Sequence, residues 1–133
     1  SDDNIVLGKW SVLKEGGSGI VIIATGADMV ANAIKAAKNT DVTVINARFV
    51  KPLDNEMLRK IKDNKIITIE DNVLSGGLYS AIASFYLANG IRPSIIPLGI
   101  KDTFVPQGTK QQLFRLNSID SESIVKTINQ YNL

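Results

Sequence analysis

The chain has 133 residues, of which 44% are hydrophobic and 21% charged, and these values are ordinary for one globular domain. Its 15 Lys and Arg against 13 Asp and Glu give a net charge of +2, too small to indicate a nucleic-acid partner. No apolar run approaches the ~18 residues of a membrane-spanning helix, so no membrane partner is expected. The absence of Cys excludes a disulfide framework and fits a cytoplasmic protein.

Five short strands are predicted along the chain. The first is half polar and is followed by a glycine-rich link at 15–19. The other four are mostly β-branched, which is typical of strands that have helices on both faces of their sheet. The predicted strands lie at 11–14, 20–24, 42–45, 66–69 and 94–98.

Helical periodicity predicts five helices between and after these strands. The first, at 27–38, carries small apolar residues on one face. Asp54 is the predicted N-cap of a short second helix, and Gly76-Gly77 precede a third helix that ends near Asn89-Gly90. The last two helices are predicted at 109–116, from a capping box, and after Asp120 or Ser121.

This alternation predicts an α/β fold, a three-layer α/β/α sandwich around a five-stranded mixed sheet. The link at 15–19 is too short for a parallel crossover, which needs about a dozen residues or more. The first strand is therefore predicted to run antiparallel, at an edge of the sheet, while the other four are parallel.

Ligands of such sheets gather beyond the carboxyl ends of the parallel strands, and four polar residues are predicted there. These residues form a candidate interface or anion-binding rim and are Arg48, Lys51, Glu70 and Asn72. Gly76 and Gly77 belong to the same rim, since backbone N–H groups at a helix N-terminus can receive an anion. The alternative, which is favoured, is that these glycines permit a positive φ and a close contact between helix and sheet.

Each charged residue of the rim also has a second interpretation. Arg48 and Lys51 could grip a phosphate or a carboxylate of a neighbouring domain, or could form a solvated surface pair. Glu70 and Asp71 point to opposite faces as neighbours in a strand, so a shared metal or proton is disfavoured and a cap or salt bridge is favoured. Because the chain has no His, no Cys and no clustered carboxylates, no catalytic, cofactor-binding or metal-binding residue is predicted. Trp10 and Phe104 are predicted to be hydrophobic seals at a domain junction.

Three runs carry a family resemblance: NARFVKPLD at 46–54, IEDNVLSGG at 69–77 and FVPQGT at 104–109. In this order they resemble the C-terminal domain of the 1-deoxy-D-xylulose-5-phosphate synthase family, a thiamine-diphosphate-dependent branch of the transketolases. The resemblance covers nearly the whole chain and implies the same five-stranded fold with an antiparallel first strand. It makes 1–133 one transketolase-type C-terminal domain, a fragment of a larger multidomain enzyme. The start Ser1-Asp2-Asp3, without Met, favours the same interpretation.

The resemblance implies that the whole enzyme is a transferase. Such an enzyme condenses pyruvate with glyceraldehyde 3-phosphate, with loss of CO2, in isoprenoid precursor and thiamine biosynthesis. Its thiamine diphosphate and Mg²⁺ are bound by the N-terminal and middle domains, and the enzyme is a homodimer. This chain lacks the Gly-Asp-Gly…Asn run that holds the cofactor in the family. The isolated domain is therefore expected to be inactive, to bind no cofactor, and to contribute architecture and dimer contacts.

The sequence leaves two alternatives open. The chain could be the C-terminal piece of a split transketolase or of a 2-oxo-acid dehydrogenase β subunit, because these proteins share the features around Glu70 and Gly76-Gly77 more loosely. It could also be a free-standing module that binds a small anion at the strand-end rim.

Overall fold

A computed structural model describes residues 5–73, 77–100 and 119–132 of the chain. Within these ranges, each predicted strand and helix is present. The helix predicted at 109–116 and the predicted seal Phe104 lie outside the described residues. The described elements are, in chain order, β1 (Ser11–Lys14), β2 (Ile20–Ala24), α1 (Ala27–Ala37), β3 (Thr43–Asn46), α2 (Asn55–Lys60), β4 (Lys65–Val73), α3 (Leu78–Ala88), β5 (Ser94–Ile100) and α4 (Ser121–Tyr131).

The five strands form one mixed sheet in the order β1-β3-β2-β4-β5. β2 pairs in parallel with β3 and β4, and β4 pairs in parallel with β5. β1 runs antiparallel to β3 at one edge of the sheet, with Ser11 opposite Asn46. The predicted antiparallel first strand is thus confirmed, because the short link between β1 and β2 leaves no room for a crossover.

Helices cover both faces of the sheet, which confirms the predicted three-layer sandwich. On one face α1 and α4 pack together, and Met29 and Ile124 are fully buried there with Ile22 of β2. On the other face α2 and α3 pack, and Tyr86 is fully buried there in one cluster with Ile23. Successive residues of β2 point to opposite faces, which is why the whole strand is apolar.

β4 is longer than the sequence predicts. Its pairing with β2 ends at Ile69, but it continues beside β5 as far as the pairing of Val73 with Ile100. Glu70 and Asp71, expected after the end of the strand, therefore lie inside it. The apolar pattern stops before these two residues. The pairing that extends β4, of Val73 with Ile100, resumes after a register shift and joins residues that are remote in sequence.

Trp10 and Asp54 join the segment before β1 to the loop before α2. The backbone N–H of Trp10 donates to Oδ2 of Asp54 over 2.8 Å, and its indole N–H donates to the carbonyl of Phe49 over 2.9 Å. Oδ1 of Asp54 accepts the N–H of Met57 over 3.0 Å, which confirms Asp54 as the N-cap of α2. Trp10 is buried and hydrogen-bonded within this domain.

Candidate functional site

The predicted rim residues lie at the carboxyl ends of the parallel strands or next to them. Arg48 and Lys51 follow β3, Glu70 lies in β4, and Gly77 immediately precedes α3. Gly76 and the side chain of Asn72 lie outside the described part of the chain.

Glu70 is the buried charge of this region. Its side chain is enclosed between β4 and the start of α3, and the residue is 0% exposed. Oε1 accepts the backbone N–H of Leu78 over 2.7 Å, and Oε2 accepts that of Tyr79 over 2.9 Å. The carboxylate therefore caps α3 at the positive end of the helix dipole. Of the roles considered for Glu70, the structure displays the cap.

Gly77 is required by Glu70. A Cβ at position 77 would overlap Oε1 of Glu70, so only glycine leaves room for the carboxylate at the helix start. The close contact expected of this glycine is present. The expected positive φ is wrong for Gly77, whose φ is −116°, because the nearby carboxylate rather than the backbone conformation selects the residue.

The cap on α3 disfavours the hypothesis that the start of this helix binds an external anion. Two of the N–H groups that would receive an external phosphate, those of Leu78 and Tyr79, are already bound by the chain's own carboxylate. A helix N-terminus that is neutralised in this way offers little to a second anion. The geometry at Gly77 thus favours the structural interpretation of this glycine.

Burial raises the pKa of the Glu70 carboxyl above its ordinary value. The hydrogen bonds from Tyr79 and Leu78 lower the pKa, but they do not fully oppose the cost of desolvating the charge. The negative charge of Asp71 adds a smaller rise. Asp71 itself is exposed, so the two carboxylates share no site.

Arg48 lies apart from Glu70, since β2 separates β3 from β4 in the sheet. Nε of Arg48 donates to Oγ of Ser11 over 3.0 Å, and the residue is half-buried. No carboxylate in the described ranges forms an ion pair with it, and Lys51 is exposed. Ser11 therefore holds the side chain of Arg48 in place, and its guanidinium has no ion-pair partner among the described residues. The contact with Ser11 was not predicted, because the two residues are 37 positions apart and no local pattern relates them.

A cavity of about 410 Å³ lies at the ends of β2 and β3 and includes Arg48 in its wall. The first described residue, Ile5, lines the same cavity. The other lining residues are Thr25, Gly26, Ala27, Val30, Asn46 and Ala47. Its described lining residues thus combine the cation of Arg48 with apolar and uncharged polar groups.

The described residues do not fit a magnesium and diphosphate site. Such a site needs several hard oxygen ligands gathered at one point. Within 5–73, 77–100 and 119–132, no group of three or more His, Cys, Asp or Glu could hold a metal ion. Among the described residues, the carboxylate that is buried at the strand ends is that of Glu70, and the helix cap already uses it. None of the four described helices is long and apolar enough to cross a membrane.

The family model for the transketolase C-terminal domain matches residues 8–124. The chain belongs to this family. The match covers the strands, the loop at 48–54 and the capped helix α3 described above, and it supports the α/β fold assignment.

Among curated relatives, this family member is similar to two 1-deoxy-D-xylulose-5-phosphate synthases. It is 41% identical to that of Clostridium tetani over 132 residues, or 94% of this chain and 21% of the relative. It is also 41% identical to that of Buchnera aphidicola over 128 residues, or 95% of this chain and 21% of the relative. The resemblance indicated by the three sequence runs is confirmed, and the chain spans only 21% of the length of these relatives.

Solved structures show the same architecture. A split gene transketolase described as an inactive beta4 tetramer has a TM-score of 0.84 and 28% identity, over 97% of this chain and 44% of that one. The transketolase of Campylobacter jejuni has a TM-score of 0.65 and 17% identity, over 92% of this chain and 18% of that one. The second likeness concerns the fold alone.

Proposed function

We propose that this chain is the C-terminal domain of a cytoplasmic 1-deoxy-D-xylulose-5-phosphate synthase. The whole enzyme condenses pyruvate with glyceraldehyde 3-phosphate, with loss of CO2, and supplies isoprenoid precursor and thiamine biosynthesis. The observation that carries the proposal is the 41% identity over 94% of this chain to the Clostridium tetani enzyme. The alternative of a split transketolase has weaker support, since the identity there is 28%.

In this proposal the chemistry belongs to other domains. Thiamine diphosphate and Mg²⁺ are held by N-terminal and middle domains, and this chain supplies architecture. The donor set of the described residues supports that division, because Glu70 is occupied as a helix cap and the chain has no His or Cys. The free-standing anion-binding module is disfavoured by the same cap.

The rim around Arg48 is proposed to contact the preceding domain. Three consecutive apolar residues at the amino-terminal side, Ile5, Val6 and Leu7, are 58%, 55% and 68% exposed. Ile5 borders the cavity that includes Arg48. Apolar area with one cation beside it is suited to a domain interface, in which a carboxylate of the neighbour pairs with Arg48.

Association between copies of the chain is the second part of the proposal. The 28% identical relative is described as a beta4 tetramer and as inactive, and it matches 97% of this chain. We infer that this domain also associates with its own copies and contributes to a homodimer in the whole enzyme.

A chimeric enzyme tests the enzyme assignment. The matched region of the Clostridium tetani synthase is replaced by this chain, and product formation from pyruvate and glyceraldehyde 3-phosphate is measured. We expect turnover well above that of the same synthase without the region. The control chimera carries the corresponding domain of Campylobacter jejuni transketolase, which shares the fold at 17% identity.

Two outcomes would contradict the assignment. One is a chimera that folds and assembles but forms no product. The other is equal turnover from the transketolase control, which would mean that the fold alone supports activity and would favour the split-transketolase alternative.

A further inference from the structure

The pair Asn89-Gly90 directly follows α3, and it is the one Asn-Gly pair in the sequence. Both residues are exposed. In such a pair the backbone nitrogen of the glycine can bond to the carboxamide carbon of the asparagine and close a five-membered ring. Glycine has no Cβ to hinder this approach, and its backbone reaches conformations that other residues avoid. Asn89 is therefore the asparagine of this chain that is best suited to react with its own backbone.

Gly90 is required by the way in which α3 ends. Its φ is +73°, in the left-handed region, and a Cβ built on it would meet no atom within 4 Å. The N–H of Gly90 donates to the carbonyl of Leu87 over 3.1 Å, and the N–H of Ile91 donates to that of Tyr86 over 2.9 Å. This is the pattern with which a left-handed glycine closes a helix. The backbone conformation, and not a lack of space, thus keeps a glycine after Asn89.

The folded geometry keeps the reacting atoms of Asn89 and Gly90 apart. The ψ of Asn89 is 15°, which places the nitrogen of Gly90 close to eclipsing the backbone nitrogen of Asn89. Ring closure needs the nitrogen of Gly90 beside Cβ of Asn89 instead. The side chain is held as well, because Nδ2 of Asn89 donates to the carbonyl of Phe85 over 2.8 Å. The reaction therefore requires the last turn of α3 to open first.

The last turn of α3 has few buried contacts to hold it closed. Leu87 is 64% exposed, and Ala88, Asn89 and Gly90 are exposed after it. Tyr86 is the last residue of the helix that the core buries. Segments of this kind open at a small fraction of the free energy of global unfolding. Opening of this turn releases Asn89 and Gly90 from their carbonyl partners while the rest of the domain stays folded.

We propose that Asn89 is a self-modification site, which deamidates when the last turn of α3 opens. The backbone nitrogen of Gly90 loses its proton to a base in the solvent and bonds to Cγ of Asn89. The Cγ–Nδ2 bond breaks, and Nδ2 leaves as ammonia after taking a proton from water. One water molecule then opens the cyclic imide at either of its two carbonyl carbons. The products are aspartate and isoaspartate at position 89, and no oxidant or cofactor takes part.

Either product removes interactions that close α3. A carboxylate at position 89 cannot donate to the carbonyl of Phe85, and it lies at the negative end of the helix dipole. The last turn of α3 has no basic residue to offset that charge. Isoaspartate also adds a backbone carbon before Gly90, which shifts the N–H of Gly90 away from the carbonyl of Leu87. The modified end of the helix should therefore be open more often than the unmodified end.

Incubation of the folded chain at mildly alkaline pH tests the proposal. Mass spectrometry of its peptides locates deamidation, and an isoaspartate methyltransferase labels the isoaspartate product. The matched control within the chain is Asn39, which is exposed in the turn after α1 but precedes the β-branched Thr40. We expect deamidation at Asn89 to be at least about tenfold faster than at Asn39, because Gly90 has no side chain.

The same measurement in guanidinium chloride tests the dependence on opening of α3. We expect Asn89 to deamidate at least about tenfold faster in the unfolded chain than in the folded chain, because the helical ψ and the two hydrogen bonds no longer hold the reacting atoms apart.

The effect of the product on the helix is tested with Asn89→Asp. This variant should melt at a lower temperature than the wild type, because it places a negative charge at the end of α3. The matched control is Asn55→Asp, which makes the same change at the first residue of α2, where the helix dipole favours a negative charge. The control should melt no lower than the wild type.

Absence of deamidation at Asn89 in the folded chain would overturn the inference, as would an equal rate at Asn39. Equal rates in the folded and unfolded chain would contradict the requirement for opening. A melting temperature of Asn89→Asp at or above that of the wild type would contradict the effect of the product. None of these results depends on the enzyme assignment, because none of them measures turnover.

Discussion

The carboxylate of Glu70 occupies the space that any side chain at position 77 would need. Gly77 has an ordinary negative φ of −116°, so the backbone at this position does not require glycine. What requires it is the placement of Oε1 and Oε2 against the N–H groups of Leu78 and Tyr79. The two residues act together, because the missing Cβ at Gly77 lets the Glu70 carboxylate reach the first N–H groups of α3.

Gly77→Ala should lower the free energy of unfolding by about 2–4 kcal/mol. The added methyl displaces the Glu70 carboxylate and leaves the first N–H groups of α3 without a partner. Urea unfolding measures the loss. The matched control is Gly17→Ala, at an exposed glycine whose added Cβ would meet only the end of the Asp41 side chain, and it should cost less than about 1 kcal/mol.

A double-mutant cycle tests whether Gly77→Ala destabilises the domain through the Glu70 carboxylate. In Glu70→Ala the space next to position 77 is already empty, so Gly77→Ala should cost much less there than in the wild type. Additive losses in the double variant would contradict the spatial explanation.

The unfolding free energy should depend on pH through Glu70. Burial holds the pKa of Glu70 above its ordinary value, so the folded state favours the neutral carboxyl more than the unfolded state does. Its contribution to stability is therefore full below the ordinary pKa and decreases as pH rises through the raised pKa. Urea unfolding of the wild type and of Glu70→Gln should be compared from roughly pH 4 to pH 8. The stability of the wild type relative to the variant should fall with rising pH, and an increase would contradict the assigned direction.

Asp54→Ala should destabilise the domain by about 2–3 kcal/mol. The substitution removes the α2 cap and the acceptor of the Trp10 N–H, two hydrogen bonds that one carboxylate supplies. Thermal unfolding and the Trp10 fluorescence maximum report the two effects, and the emission should move to longer wavelength as the indole gains water. Glu56→Gln is the control, because its ion pair with Lys9 is exposed and should leave the unfolding midpoint unchanged. An equal effect of both changes would contradict the role of Asp54.

The isolated chain should show no micromolar binding of thiamine diphosphate with Mg²⁺. The described residues gather no cluster of hard oxygen ligands, and Glu70 is committed to the helix cap. Isothermal titration calorimetry tests this, with the complete Clostridium tetani synthase as the positive control. A saturable binding heat from the chain alone, with a micromolar dissociation constant, would place a cofactor site in this domain.

Local sequence predicts the elements of this fold well, and it predicts contacts between distant residues poorly. The direction of β1 follows from a short link, and the N-cap Asp54 follows from a residue type next to a helical pattern. The second hydrogen bond of Asp54, to a residue 44 positions away, has no local signal. The sequence indicates Glu70 as a candidate cap. The reason for Gly77 lies in the packing of β4 against the start of α3, which no local pattern shows.

The two layers of the core are completed at different points along the chain. Both helices of the α2 and α3 layer are present by residue 88, whereas α1 packs against α4, which begins only at Ser121. A ribosome that makes the chain from its amino end therefore releases one face of the sheet with its helices long before the other. Until the last helix emerges, Met29 and Ile22 have no cover from Ile124 and Ile128. The α1 face is thus the surface that a chaperone would meet on the nascent chain, and a stop codon before residue 121 would leave it open permanently.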